Sequence, residues 1–215
     1  MSMAPVPPTP APAAATGKPV RLTREQNRAQ TRERILASAA TVFAREGYGG
    51  ASVDRIAEEA GYSKGALYSN FTSKDELFLE LVNYYGSIDA KELCRRLDAL
   101  PDAAEIISTT CIWANGLQHE PDLRLLVLEM TRRVKGDPVL SARYRNFFED
   151  QWRAVGSRII RMYPEVPSTV KPVALGALVM EISYGVALQL QSEVSAGELI
   201  GMALRALRDA ETHRH

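Results

Sequence analysis

The fold is decided by the stretch SVDRIAEEAGYSKGALYSNFTSKDEL, residues 52–77. Three serines in it, Ser52, Ser63 and Ser73, each precede a run with helical apolar spacing. Serine is a favoured N-cap residue because its hydroxyl accepts a hydrogen bond from the first helical turn. Glu76 follows the third serine at the spacing of a capping box. The stretch therefore predicts two short helices followed by the start of a third.

A helix-turn-helix is indicated by Ala57 and, four residues later, Gly61. The alanine is small enough for two helices to cross closely, and the glycine can take the positive φ that the turn needs. Helices of about eight residues are not stable alone, because helix nucleation is costly. They must share a core with two longer helices, which the apolar spacing places at about 24–46, ending at Gly47, and at about 73–85.

Helical periodicity continues along the rest of the 215-residue chain, and no segment has the alternation of a β-strand. A content of 46% apolar and 24% charged residues excludes a wholly disordered, collagen-like or disulfide-stapled protein. The 26 basic and 26 acidic residues cancel, so binding to nucleic acid requires a local patch. We expect an all-α fold whose later part contains about five antiparallel helices.

Almost position for position, GYSKGALYSNFTSKDEL (residues 61–77) resembles the signature of the tetracycline-repressor (TetR/AcrR) family of bacterial transcription regulators. At the level of the motif the resemblance covers roughly residues 31–83. It implies an amino-terminal three-helix DNA-binding domain that a fourth helix joins to a helical domain for small-molecule binding and dimerisation. The chain departs from the pattern at Ser69 and Asn70, where family members often carry an aromatic pair.

The predicted organisation has three parts. Residues 1–20, rich in proline and alanine, form a disordered tail. Residues 21–86 form the three-helix DNA-binding domain of the TetR type, with the helix-turn-helix at about 52–71. Residues 87–215 form a carboxy-terminal helical bundle for effector binding and dimerisation.

The predicted DNA contacts follow from placing the second helix of the motif in a major groove. Short side chains at its start would donate to phosphates, and Tyr68 would place its ring against thymine methyls or sugars. Between residues 18 and 34, six basic and two acidic residues give a local net charge of +4, although a solvated face is an equal alternative for any single arginine. The predicted contact residues are Arg24, Arg28, Ser52, Ser63, Lys64, Gly65, Ala66, Tyr68, Ser69 and Lys74.

Some residues of this segment have a second interpretation. Tyr48, Leu67 and Phe71 are expected in the core rather than at the DNA. Arg32 continues the four-residue spacing of the two preceding arginines and could lie along the same phosphate-facing stripe. Lys74 has the alternative role of neutralising its neighbour Asp75.

The later domain is predicted to hold a small-molecule effector and to dimerise. Plain core packing is the alternative for the aromatic candidates. The segment 173–190 is apolar all round, as expected of a helix buried between its own core and a second subunit. We therefore expect a homodimer through the last two helices, at about 170–190 and 196–210. The predicted pocket residues are Trp113, Leu117, Glu129, Phe147, Trp152 and Tyr184.

Several function classes are excluded by what the sequence lacks. Cys94 and Cys111 form no metal or redox pattern, and neither a nucleophile elbow nor a phosphate loop is present, so we predict no catalytic site, metal or cofactor. The longest apolar stretch, 173–190, is short for a bilayer span and contains Glu181. The amino terminus does not have the pattern of a signal peptide, and we expect a cytoplasmic protein.

The predicted function is that of a ligand-responsive, homodimeric DNA-binding regulator, a repressor that a small molecule releases from a pseudo-palindromic operator. One alternative is a helical small-molecule binding or enzymatic bundle with a structural amino-terminal hairpin, in which Cys111 would be the nucleophile. Another keeps DNA binding without an effector.

Overall fold

The computed structural model describes residues 23–117, 121–163, 170–185 and 193–212. This part of the chain contains nine α-helices, one short 3-10 turn and no strand, which confirms the predicted all-α class. The predicted tail at residues 1–20 lies outside it. The helices are α1 (Arg24–Gly50), α2 (Val53–Glu59), α3 (Lys64–Tyr68), α4 (Lys74–Asp98), α5 (Ala103–Leu117), α6 (Pro121–Val134), α7 (Pro138–Ile159), α8 (Pro172–Ser183) and α9 (Ala196–Thr212), and the 3-10 turn is Ile160–Met162.

The three predicted serine caps are present. The hydroxyls of Ser52, Ser63 and Ser73 accept hydrogen bonds from backbone N–H groups three residues later, at 3.1, 3.2 and 3.0 Å. The reciprocal half of the predicted capping box is wrong, because the Glu76 carboxylate accepts from the N–H of Thr72, at 2.6 Å, and not from that of Ser73. The caps therefore fix where α2, α3 and α4 begin.

Two glycines with positive φ interrupt the amino-terminal helices. Gly47, at φ 68°, breaks α1 where the sequence predicted its end, and a further helical turn follows up to Gly50. Gly61, at φ 73°, forms the turn between α2 and α3. A side chain at either position would be strained, because residues with a Cβ rarely adopt this conformation.

Helix α4 is longer than predicted. The sequence suggested an end near Tyr85, but the helix continues through Gly86 to Asp98. Glycine inside a helix costs about 1 kcal/mol relative to alanine, and the burial of Leu93 and Leu97 in the following turns offsets that cost. The predicted boundary at residue 86 therefore lies within one continuous helix.

The buried side chains form two clusters that meet along α4. The first contains α1, α2, α3 and the first half of α4, together with Leu126, Met130 and Tyr144 from α6 and α7. The second contains the rest of α4, most of α5, and the apolar faces of α7, α8 and α9. Helix α6 thus completes the core of the amino-terminal helices, although it comes after residue 86.

Glycines bring α7 and α8 into direct backbone contact. A Cβ at Gly156 would lie 1.7 Å from the carbonyl oxygen of Pro172, and one at Gly176 would lie 1.8 Å from that of Trp152. The two helices can pack this closely only because both positions lack a side chain. Helix α8 ends at Ser183, and the rest of the predicted helix, 186–190, lies outside the described residues.

Candidate DNA interface and effector cavity

The helix-turn-helix of α2 and α3 is held by backbone hydrogen bonds and a buried inner face. The N–H of Tyr62 donates to the carbonyl of Ala57 at 2.9 Å across the turn. Leu67 and Phe71 are buried, as predicted. Tyr68 lies on the opposite side of α3, with 46% of its surface exposed. The motif therefore presents one side of α3 to solvent.

The predicted contact residues of α3 share this outward side. Ser63, Lys64, Gly65 and Ser69 are exposed, and Ala66 is half-buried. Among the described residues, a Cβ at Gly65 would meet only the Ser63 hydroxyl, at 3.8 Å. Packing within this part of the chain does not require a glycine here, so the open space above Gly65 is available to an external partner.

Lys64 is paired within the protein. Its Nζ lies 2.9 Å from Oδ1 of Asp54 on α2, and the hydrogen bond to this carboxylate raises the pKa of Lys64. More than half of each side chain is exposed, so the pair is of the kind that contributes little stability. A phosphate could replace Asp54 at small cost.

The arginines on α1 divide into two groups. Arg24 and Arg28 are exposed, and Arg28 donates to the Ser69 carbonyl at 3.4 Å. Arg32 instead forms an ion pair with Glu80 and stacks over the Phe71 ring, 4.3 Å from its centroid. Arg32 therefore joins α1 to α4 and does not continue the predicted phosphate-facing stripe.

Lys74 is directed at the protein and not at the predicted phosphate position. Its Nζ donates to the Tyr48 carbonyl and lies 4.2 Å above the centre of the Tyr48 ring. Burial lowers the pKa of Lys74. Its predicted alternative partner Asp75 accepts two hydrogen bonds from Arg133, both at 2.7 Å, and one from the Tyr48 hydroxyl.

These contacts form a polar cluster that we call the α6 joint, which contains Tyr48, Lys74, Asp75, Glu129 and Arg133. Helix α6 contributes Arg133 and also Glu129, whose carboxylate accepts from the Tyr48 N–H at 2.6 Å. Burial alone would raise the pKa of Asp75, but the hydrogen bonds from Tyr48 and Arg133 bring it below its usual value. The joint ties α6 to the end of α1 and the start of α4.

Glu129 was predicted in the effector pocket, and the α6 joint corrects that prediction. The positive φ at Gly47 ends the regular hydrogen bonding of α1, and the next N–H, that of Tyr48, is bonded by Glu129. The glycine break was visible in the sequence, but the partner of the N–H was not, because it lies 81 residues away.

The segment that builds this surface matches a known family. Residues 35–81 match the family described as bacterial regulatory proteins, tetR family. The segment at residues 35–81 is similar to the tetR family. The HTH-type transcriptional repressor AcnR of Corynebacterium jeikeium is 34% identical over 118 residues, which make up 54% of this chain and 57% of that repressor. The chain thus spans little more than half the length of this relative, which is named as a repressor and not as an enzyme.

Solved structures share the fold over more of the chain. A protein from Pseudomonas aeruginosa PAO1, described as a transcriptional regulator, has a TM-score of 0.67 at 22% identity, covering 90% of this chain and 95% of that one. A protein from Saccharomonospora viridis, described as a transcriptional regulator and solved in complex with choline, has a TM-score of 0.61 at 18% identity, covering 84% and 96%. These likenesses concern the fold.

Outside the tetR-family segment, a small cavity lies where α4, α6, α7 and α8 meet. Its volume is about 10 Å³, room for about one water molecule. Phe147 and Tyr184, both predicted pocket residues, line it. Among the described residues, the lining consists of Val82, Gly86, Val127, Phe147, Phe148, Gln151 and Tyr184.

Three further residues predicted in the pocket do not line this cavity. Trp113 and Leu117 are buried in the second cluster and do not face the cavity. Trp152 lies behind Phe148, with 6.2 Å between the ring centroids, and packs against the second cluster. For the two tryptophans the alternative of plain core packing applies, and Leu117 is part of the same core.

Two charged groups of the described residues, Asp89 and Arg124, are hydrogen-bonded to residues that line the cavity or lie next to its lining. The Tyr184 hydroxyl donates to Asp89 at 3.0 Å, and burial raises the pKa of Tyr184 far above its usual value. Arg124 is almost completely buried and donates to the carbonyls of Leu117 and Ser183, which are the last residues of α5 and α8. Arg124 thereby holds the ends of two helices together.

Neither a membrane helix nor a metal cluster is found in the described ranges. No helix there combines the length and the apolar character that a bilayer span requires. Among the same residues, no group of three or more His, Cys, Asp or Glu side chains could hold a metal ion.

Proposed function

We propose that this protein is a homodimeric, ligand-responsive transcription regulator, acting in the cytoplasm as a repressor that a small molecule releases from a pseudo-palindromic operator. One observation carries the proposal: in a tetR-family helix-turn-helix, the inner face of α3 is buried and the outer face, from Ser63 to Ser69, is open to solvent. The curated relative of this segment named above is a transcriptional repressor.

The proposed DNA contacts are of two chemical kinds, those to phosphates and those to bases or sugars. Lys64, after exchanging Asp54 for a phosphate, and the hydroxyls of Ser52 and Ser63 would fix the position on the duplex. Gly65 would let the backbone approach the groove, and Tyr68 would contact a thymine methyl or a sugar. Ala66 and Ser69 lie beside them on α3, and Arg24 and Arg28 would follow the adjacent phosphates.

The proposal of a dimer rests on geometry. One α3 helix reads only a few base pairs, and a second subunit would place its copy in the next major groove, about 34 Å away. Helices α8 and α9, at residues 172–183 and 196–212, are the proposed interface. The effector would bind at the cavity beside Gly86 and change the distance between the two α3 helices.

The test is fluorescence anisotropy with the full chain and labelled DNA from the region upstream of its gene, over a series of salt concentrations. Lys64→Ala should weaken binding uniformly and reduce the salt slope by about one, as expected for one phosphate contact. Tyr68→Ala should cost about 1–3 kcal/mol and relax sequence preference. The control is Lys91→Ala, an exposed lysine in the second half of α4.

An outcome in which the wild-type protein shows neither sequence preference nor salt dependence would exclude the proposal. The enzymatic alternative has no observation in its favour. Burial raises the pKa of Cys111, its candidate nucleophile, and so disfavours the reactive thiolate.

A further inference from the structure

We infer that the cavity beside Gly86 takes a neutral, largely apolar effector whose hydrogen-bond acceptor pairs with the side-chain amide of Gln151. The inference deepens the proposed function, since it names the chemical class of the ligand at that site. It is carried by an unpartnered buried donor, by the walls around that donor, and by the neighbouring charges.

The cavity has apolar walls on three helices. Val82 and Gly86 come from α4, Val127 from α6, and Phe147 and Phe148 from α7. A Cβ at Gly86 would lie 3.5 Å from the Phe147 ring, at ordinary contact distance. The missing side chain at Gly86 therefore leaves a space of about the size of a methyl group, into which one apolar group of a ligand can begin to enter.

Gln151 supplies the polar feature of the cavity. Only 8% of this residue is exposed, and within the described structure its Nε2 has no hydrogen-bond partner. A buried amide without a partner is costly, and a ligand oxygen or nitrogen acceptor would remove that cost. Nε2 lies 3.6 Å from the Cβ position at Gly86, so it faces the same space.

Further unpartnered polar atoms lie next to the lining residues. In the described part of the chain, Asn83 Oδ1, Trp152 Nε1 and Ser183 Oγ are buried without a hydrogen bond. Each belongs to a residue adjacent in sequence to one that lines the cavity. None of these three residues belongs to the lining itself, so Gln151 Nε2 is the unpartnered polar atom of the described residues that a ligand in the cavity can reach.

The charges beside the cavity favour a neutral ligand. Asp89 accepts from the Tyr184 hydroxyl, and Arg124 donates to two helix-terminal carbonyls. The two groups are opposite in sign, and each is already engaged in the protein. A carboxylate or an ammonium on the ligand would lose its hydration without gaining an uncommitted counter-charge from this pair.

Occupation of the cavity would act on the DNA-binding helices. The space holds about one water molecule, so a larger ligand has to displace the half-buried Phe147 ring and separate α4 from α7. Helix α4 also carries Asp75 of the α6 joint, and α6 carries Val127 of the cavity together with Glu129 and Arg133 of the joint. The same two helices therefore connect the ligand to the DNA-binding segment.

The experiment compares four probes of similar size, namely acetophenone, ethylbenzene, benzoate and benzylamine, by their dissociation constants and thermal shifts with the full chain. Acetophenone has the neutral acceptor, and we expect it to bind about 3- to 10-fold more tightly than ethylbenzene, the range that one buried hydrogen bond provides. Benzoate and benzylamine should bind most weakly. In Gln151→Leu the advantage of acetophenone over ethylbenzene should disappear, and in the exposed control Gln30→Leu it should persist.

A second variant keeps the test decisive if Gln151→Leu does not fold. Gly86→Ala should be at least as stable as wild type, because alanine is the better helix former, and should weaken all four probes by filling the cavity. The inference is overturned if a charged probe binds best, if no probe binds, or if the acetophenone preference survives in Gln151→Leu. DNA binding by the same wild-type preparation is measured in parallel, so that loss of the ligand inference leaves the proposed regulator intact.

Discussion

Gly156 shows how much of this fold depends on one missing methyl group. A Cβ there would lie 1.7 Å from the Pro172 carbonyl oxygen, a backbone atom that cannot move aside unless α7 and α8 separate. We predict that Gly156→Ala lowers the free energy of unfolding by about 3 kcal/mol, at the upper end of the usual cost of overpacking. Urea unfolding measures the difference.

The matched control is Gly136→Ala. A Cβ at this exposed glycine would meet nothing within 4 Å, so the change should be within about 0.5 kcal/mol of wild type or slightly stabilising. Equal stabilities for the two variants would show that the close approach of α7 and α8 can relax without cost.

At the scale of the elements, the sequence did not predict that α6 is bonded to the start of α4. Arg133 binds both oxygens of Asp75, on the first turn of α4, so α6 is fixed to the amino-terminal helices as well as packed against them. We predict a coupling energy of about 1 kcal/mol in a double-mutant cycle of Arg133→Met and Asp75→Asn, because the pair is bidentate but only partly buried. Denaturant unfolding of the four proteins gives the value.

Arg132→Met is the control for this cycle, because Arg132 is the exposed neighbour on the same helix. Combined with Asp75→Asn it should show no coupling. If the cycle for Arg133 gives a coupling energy of zero, the Arg133–Asp75 pair contributes no more stability than an ordinary surface ion pair.

Acid should weaken the same joint. Folding lowers the pKa of Asp75 below its ordinary value of 3.8, so the folded state favours the ionised carboxylate. The stability it contributes is present above that ordinary value and is lost as the pH falls through the lower pKa of the folded state. Between about pH 6 and pH 3, the free energy of unfolding should therefore decrease less steeply for Asp75→Asn than for wild type. For the exposed Asp150→Asn, the free energy of unfolding should change with pH as it does for wild type.

The sequence predicted the features that depend on near neighbours. The caps at Ser52, Ser63 and Ser73 and the turns at Gly47 and Gly61 are local, because the groups that interact are within five residues of each other. The length of α4, the inward direction of Lys74 and the position of Glu129 depend on partners far away in the chain. Gln151, which lines the same small cavity as Phe147 and Tyr184, is not predicted there, since only the assembled helices show that its amide lacks a partner among the described residues.

For the whole molecule, the central proposal is that two copies bind DNA together. On α9, Ile200 and Leu204 are buried in the second cluster, whereas Met202 is 59% exposed on another side of the helix. We predict that Met202→Glu converts a dimer into a monomer, because two like charges would meet across an isologous contact. Sedimentation equilibrium at micromolar protein concentrations measures the association.

The same variant should also lose operator affinity, although it leaves every proposed DNA-contact residue unchanged. A monomer places one α3 helix, and the second half-site then has to bind as an independent event without the high effective concentration that a dimer provides. The control is Val139→Glu, which changes an exposed apolar residue at the start of α7, outside the proposed interface. If Met202→Glu remains a dimer with wild-type affinity, the exposed face of α9 is not where the two subunits meet, and the spacing of the two DNA-reading helices must be set by another surface.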